Sequence, residues 1–303
     1  MSAAVLPLLA TVLSGPATGV VGAHDRGDLD EVGRRARAAG AAAVAELLRD
    51  DDRAHVVAGI AAAPLVPDAW ELLDELAVWA GGWDRSLAAP AALAAVRIAR
   101  DFDGDAAIAH EVADDVLAFA HGAWLAVAAR PDRWADVRVH ALETAAHLAA
   151  TRGATADEDP GAGYDLPAYL ADADPEVRRA AAELAPQPAP SIWRGALGDA
   201  IAGDADPAVA LAAAQALCSQ LAFDTAPATV ATITGVLGDA GATRLRAIFR
   251  GPLPAVPEGA LVDAARCLAA GGGKDDHAAL RALAPRAGAA RRWIERLDRQ
   301  GLR

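Results

Sequence analysis

The chain has 303 residues, of which 28 are basic and 41 acidic, so its formal net charge is −13. A phosphate backbone is bound mainly through clustered Lys and Arg, and this charge balance argues against a nucleic-acid-binding protein. Hydrophobic residues make up 54% of the sequence, but Ala is by far the most frequent of them, so large core side chains are few. A single Lys against many Arg is typical of a GC-rich coding sequence and suggests a bacterial source.

The first 23 residues carry no charge and end in Val-Gly-Ala, a faint similarity to a signal-peptide cleavage site. The basic region of a signal peptide is missing, and Pro7, Gly15 and Pro16 interrupt the apolar run. A membrane span needs about 20 predominantly apolar residues. We therefore expect a first packing helix and no membrane association, with a weak export signal as the alternative.

Apolar residues recur at helical spacing along nearly the whole chain, and strands are hard to find. Leu72, Leu76 and Trp79, for example, share one helical face. Clusters of Pro, Gly and Asp separate such segments, which indicates short turns and antiparallel neighbours. The segments predicted to be helical are 28–49, 52–63, 68–80, 86–100, 105–120, 133–150, 175–185, 191–202, 207–222, 226–237, 258–270, 275–283 and 287–299.

Seven Trp residues stand out in this Ala-rich chain. Large rings fill the gaps that Ala leaves between helices, so most of them are expected in the core. Trp83 and Trp193 lie beside predicted turns, and exposed Trp is a favoured interface residue. These two are therefore the expected contacts for a partner.

One predicted helix carries His140, Glu143 and His147 at positions i, i+3 and i+7, which places them on one face. Such a stripe can bind a transition metal if a neighbouring helix supplies further ligands. The alternative is a solvated or hydrogen-bonded stripe. We expect no metal and no other cofactor, and these three residues remain the metal candidates.

No catalytic motif is complete in this sequence. The segment His110–Asp114 is similar to the zinc-protease signature HExxH, but Asp114 stands where the second His ligand belongs. Cys218 and Cys267 show no Cys-x-x-Cys spacing, so free thiols in a reducing compartment and a cytoplasmic location are expected. We expect a protein that is not an enzyme.

The longest predicted loop is 151–165, which is rich in Gly and acidic residues. We interpret it as a hinge between two halves of the chain, with a binding loop as the alternative.

The sequence Asp-Ala-Asp-Pro at 172–175 recurs at 204–207. Self-similar helical segments that repeat every ~20–50 residues indicate a solenoid. In each copy the second Asp can cap a helix N-terminus, and the Pro suits the first helical turn because its missing N–H costs nothing there. The residues assigned to this structural repeat are Asp174, Pro175, Val177, Arg178, Asp206, Pro207 and Val209.

The C-terminal segment is basic, in contrast to the rest of the chain. Such a segment can complement a helix C-terminus and cap the end of a solenoid, or it can contact phosphate or an acidic partner. Its residues are Arg281, Arg286, Arg291, Arg292, Arg296, Arg299 and Arg303.

The segment Asp174-Pro-Glu-Val-Arg178 resembles the HEAT-repeat family, whose second helix commonly opens with Asp-Pro-x-Val-Arg. The copy at 206–210 departs from the pattern because Ala210 replaces the Arg. The resemblance implies an all-α solenoid of stacked antiparallel helix pairs, with about six or seven degenerate repeats over residues 1–303. It also implies that Arg178 pairs with an acidic residue of a neighbouring repeat.

This resemblance and the negative charge together suggest a function. We expect a non-enzymatic scaffold or adaptor whose acidic concave surface binds a basic partner protein or peptide. HEAT-like folds also occur in DNA glycosylases and bilin lyases, so an enzyme of either kind is one alternative. A metal-binding helical protein is the other.

Overall fold

The computed structural model describes residues 16–25, 27, 29–102, 112, 114–155, 165–186 and 189–302. Every regular element in these residues is a helix, as the periodicity predicts. The chain divides into two compact units, Met1–Ala162 and Gly163–Arg303. Residues 151–155, the predicted start of the hinge loop, instead belong to the helix Ala135–Thr155, so that boundary is wrong. Residues 1–15 and 156–164 lie outside the described residues, so the interpretations of the N-terminus and of the rest of the loop stay predictions.

The N-terminal unit is built from helices that pack in consecutive pairs. They are α1 (Pro16–Asp25), α2 (Leu29–Leu48), α3 (Arg53–Ala62), α4 (Leu73–Ala80), α5 (Arg85–Asp101), α6 (Asp114–Ala128) and α7 (Ala135–Thr155). Helix α2 packs on α3, α4 on α5, and α6 on α7, while α1 packs on α2 and α3. Helices α2, α4 and α6 also contact one another in turn, as do α3, α5 and α7. Each pair therefore lies against the next.

The helices of the C-terminal unit also pack in consecutive pairs. Its helices are α8 (Leu166–Leu170), α9 (Pro175–Glu183), α10 (Ser191–Gly203), α11 (Pro207–Cys218), α12 (Pro227–Arg250), α13 (Glu258–Gly271), α14 (Lys274–Leu283) and α15 (Arg291–Gln300). The pairs are α8 with α9, α10 with α11, α12 with α13, and α14 with α15. The first members contact one another in turn, and so do the second members.

The predicted capping of the repeat motif is confirmed. The side chains of Asp174 and Asp206 accept hydrogen bonds from the backbone N–H groups two residues further on, and α9 and α11 begin at the Pro that follows. Val177 and Val209 are fully buried, as expected. Because Ala has no side chain beyond Cβ, the many buried Ala residues of α11 and α13 allow these two helices to pack on one another.

Some helix boundaries differ from the predicted ones. The predicted segment 68–80 begins with a tight 3-10 turn and becomes α-helical only at Leu73. The predicted end of segment 226–237 is the site of a break rather than a terminus, because Gly238 has φ 57° and the helix resumes beyond it. A positive φ favours Gly. No helix in the described part of the chain is both long and apolar enough to cross a membrane.

The expectation of free thiols is wrong, because Cys218 and Cys267 form a disulfide. Their Cα atoms are 5.6 Å apart although the residues are 49 positions apart in the sequence. The pairing arises because Cys218 ends α11 and Cys267 lies in α13, and these two helices pack against each other. Both residues are fully buried, so the bond joins two helix pairs inside the C-terminal unit.

We expect the double variant Cys218→Ala/Cys267→Ala to lose about 2–4 kcal/mol of unfolding free energy, because the disulfide closes a long loop in the unfolded chain. Urea denaturation of both proteins, followed by circular dichroism, measures the difference. Titration of two thiols in wild-type protein denatured without reductant would contradict the disulfide.

Candidate functional site

The two Asp-Ala-Asp-Pro turns of the C-terminal unit share one hydrogen-bonding pattern. The Oδ1 atom of Asp172 accepts a hydrogen bond from the backbone N–H of Asp174 at 2.9 Å, and Asp204 accepts one from Asp206 at 2.8 Å. The second Asp of each turn then caps the following helix. The motif therefore closes the turn between two paired helices and begins the second helix of the pair.

Arg178 of α9 joins these two turns. Its Nε and Nη2 atoms donate to the two carboxylate oxygens of Asp204 at 2.7 and 3.0 Å, a bidentate pair. Its Nη1 atom donates to the backbone carbonyl oxygens of Asp172 at 2.8 Å and of Ala173 at 3.1 Å. The expected pairing of Arg178 with an acidic residue of the neighbouring helix pair is confirmed.

The ion pair shifts the pKa values of both partners. Burial raises the pKa of the Asp204 carboxyl, but hydrogen bonds from Arg178 and from the Asp206 amide, with the charges of Arg178 and Arg244, outweigh burial and hold that pKa below its ordinary value. Hydrogen bonding to Asp204 in turn raises the pKa of Arg178. Both side chains are therefore charged at neutral pH.

Arg244, which lies on α12, also hydrogen-bonds to the second turn. Its Nη2 atom donates to the backbone carbonyl oxygens of Asp204 at 3.0 Å and of Ala205 at 3.1 Å. These two carbonyls occupy the same positions in the second turn as the carbonyls that Arg178 binds in the first. No pattern in the sequence indicates this role, because Arg244 lies 40 residues after its first acceptor.

A cleft of about 530 Å³ opens between α8, α10 and these two turns. Three carboxylates line it with one guanidinium, and that guanidinium is already paired with a carboxylate. The cleft is therefore acidic, and its remaining walls are mostly apolar. Its charged lining residues are Asp172, Asp199, Asp204 and Arg178, and its larger apolar ones are Pro167 and Leu170.

Asp199 is the cleft residue that sequence reasoning missed. It lies on α10 and is exposed. Within 165–186 and 189–302, no Lys, Arg or His forms an ion pair with it. Its charge is consequently available to a bound cation. Its position in the cleft follows from the packing of α8 on α10, and no local motif marks it.

In the N-terminal unit, Trp83 lies in the turn between α4 and α5 with 73% of its surface exposed. The guanidinium of Arg133 lies 3.6 Å from the centroid of the indole ring, and that Arg side chain is only 1% exposed. Arg130 and Arg133 both donate to the backbone carbonyl of Gly81, at 3.1 and 3.0 Å. The exposed indole thus packs on a buried guanidinium. Its role in partner binding stays a prediction.

The expectation that Trp193 lies on the surface is wrong. Its side chain is 4% exposed, although the residue lies only two positions after the start of α10. On an amphipathic helix, closeness to a turn does not decide which face a residue occupies. The buried indole therefore has no free surface for a partner.

The metal candidates do not assemble into a ligand set in the described residues. No three His, Cys, Asp or Glu side chains converge there closely enough to hold a metal ion. Glu143 instead lies 3.4 Å from the Nδ1 atom of His140 and 3.6 Å from Arg100, whose positive charge opposes a bound cation. Burial and the charge of Arg100 lower the pKa of His147, so its imidazole is neutral at pH 7.

The segment similar to the zinc-protease signature lies largely outside the described residues, which omit 103–111. Comparison of the chain with protein-family models finds no match, and comparison with curated proteins finds no significant similarity.

We expect Arg178→Ala to lower the free energy of unfolding by about 3 kcal/mol at neutral pH, because it leaves the buried Asp204 carboxylate without its partner. The pKa of Asp204 is lowered in the folded state, so the stabilisation is complete above the unfolded pKa and is lost as the pH falls through the folded one. The difference between wild type and variant should therefore shrink between pH 5 and pH 2. Urea denaturation at several pH values measures it.

The matched control is Arg179→Ala. Arg179 is adjacent but half-exposed and pairs with Glu183 at 3.7 Å, so its removal should cost at most about 0.5 kcal/mol. Equal effects of the two substitutions would contradict a special role for Arg178.

Proposed function

We propose that the chain is a HEAT-like helical-repeat protein that binds a basic partner protein or peptide and has no enzymatic activity of its own. The consecutive packing of helix pairs in each unit supports the repeat architecture. So does the Asp-Ala-Asp-Pro turn, whose second copy repeats the hydrogen bonds of the first. Only the family resemblance supports the enzymatic alternatives.

The observation that carries this proposal is the acidic cleft between α8 and α10. A Lys or Arg side chain combines an apolar stem with a cationic head. The apolar wall of Pro167 and Leu170 suits the stem, and the carboxylates of Asp172 and Asp199 suit the head. Electrostatic complementarity of this kind contributes to association rate and specificity more than to raw affinity.

Trp83 is a candidate second contact, in the N-terminal unit. Exposed Trp residues dominate the energetics of many interfaces because a large ring is desolvated on binding. The buried guanidinium of Arg133 packs on the ring, and this cation–π contact favours the observed orientation of the indole. A ring that is partly ordered in this way loses less side-chain entropy when a partner binds.

We expect Asp199→Asn to weaken the binding of a fluorescein-labelled peptide of alternating Arg and Ala about fivefold at physiological salt, because one unpaired carboxylate of the cleft is lost. Fluorescence anisotropy measures the affinity. Raising the salt concentration should weaken binding to wild type further.

The control is Asp239→Asn, which removes the same charge from an exposed position of α12 outside the cleft. It should change the affinity less than about twofold. If both variants weaken binding equally, the affinity depends only on the overall charge of the protein and the cleft is not the binding site.

A further inference from the structure

A second cleft, of about 250 Å³, lies at the C-terminal end of the C-terminal unit. It is formed by the tight turn Ser219–Ala222, by α13 and by α15, and no residue of the acidic cleft contributes to it. The residues that line it and matter for its chemistry are Thr225, Arg266, Trp293, Arg296 and Leu302.

One exposed aromatic side chain lines this cleft, and a second belongs to the chain segment at its edge. Trp293 lines the cleft with 54% of its surface exposed, and Phe223, 93% exposed and not itself a lining residue, lies in the chain between the lining residues Ala222 and Thr225. Exposed aromatic residues that flank a depression are typical of interaction sites. An occupant that covers both exposed rings is larger than a small ion.

The cleft is basic, although the chain as a whole is acidic. Arg266 and Arg296 line it, and Arg292, Arg296 and Arg299 form an exposed stripe at positions i, i+4 and i+7 of α15. The opposite face of the same helix buries Ile294 and Leu297 in the core. Arg266 forms an ion pair with Asp263, whereas the side chain of Arg296 is hydrogen-bonded to the neutral Gln300.

We propose that this cleft, with Phe223, Trp293 and the arginine stripe of α15, binds an acidic peptide segment that carries an aromatic or aliphatic side chain. The apolar side chain contacts the two exposed rings, and carboxylates of the segment pair with Arg296 and its neighbours on the stripe. The cleft is separate from the acidic one, and the proposal does not depend on the function proposed above.

The net charge of −13 does not prevent this binding. At physiological ionic strength, charges farther apart than about 8 Å are largely screened from each other. A bound segment therefore experiences chiefly the arginines that contact it.

The test uses a short labelled peptide in which Phe and Leu are each flanked by Glu, and a matched peptide in which every Glu is replaced by Lys. The intact protein should bind the Glu peptide, and any binding of the Lys peptide, which suits the acidic cleft, should be unchanged in Phe223→Ser and Arg296→Gln. Phe223→Ser should weaken binding of the Glu peptide at least about fivefold, because one of the two exposed rings is lost. Fluorescence anisotropy measures each affinity.

Each variant has a matched control. Arg296→Gln should weaken binding about fivefold, whereas Arg250→Gln, an equal charge change at an exposed position of α12 outside both the cleft lining and the arginine stripe, should have a smaller effect. Ile192→Ser removes a 72% exposed apolar side chain elsewhere in the same unit and should leave the affinity unchanged. All four substitutions are at exposed positions, and circular dichroism confirms that the fold is retained.

Three results of these binding measurements would overturn the proposal. They are failure of the Glu peptide to bind, equal losses for Arg296→Gln and Arg250→Gln, and full binding by Phe223→Ser. Sedimentation of the protein alone provides the remaining test: a dimer that Phe223→Ser dissociates would mean that a second copy of the chain occupies the surface and that the peptide proposal is wrong.

Discussion

The pairing of Arg178 with Asp204 is the interaction on which the architecture of the C-terminal unit depends. One guanidinium satisfies a buried carboxylate and two backbone carbonyl oxygens at once, and these acceptors belong to two successive turns. A carboxylate only 6% exposed is costly without such a partner. The pair therefore requires α9 and the turn before α11 to adopt one relative position, and that position determines where the cleft opens.

This ion pair also distinguishes the cleft carboxylates whose charge is used within the fold from those whose charge is available to a ligand. Of the three cleft carboxylates, Asp204 has a bidentate partner and a lowered pKa, so its charge is largely used inside the fold. Asp199 is exposed on α10 and has no ion-pair partner in the described part of the unit. A cation entering the cleft is therefore attracted most by a residue that contributes little to stability, which allows binding to change without loss of the fold.

Local chemistry made part of this structure predictable. The caps at Asp174 and Asp206 follow from short-range hydrogen bonds that the sequence alone specifies. The partner of Arg178 was anticipated only through the family resemblance, because Asp204 lies 26 residues away. The disulfide and the position of Asp199 were not predictable, since both depend on which helix pair lies beside which. Trp83 and Trp193 show most simply what local sequence cannot predict. Both lie near turns, but only Trp193 points into the core.

The packing of consecutive helix pairs explains how clefts of opposite charge occur in one unit of an acidic protein. Each of the two grooves is formed by successive pairs, so its charge is set by a few local residues. The acidic cleft lies where α8 and α10 meet, and the basic one where α13 and α15 meet. Because the two grooves share no lining residue and salt weakens more distant charges, each groove acts on its ligand chiefly through its own residues. Net charge thus governs solubility, while the local sequence of each pair decides what that groove can bind.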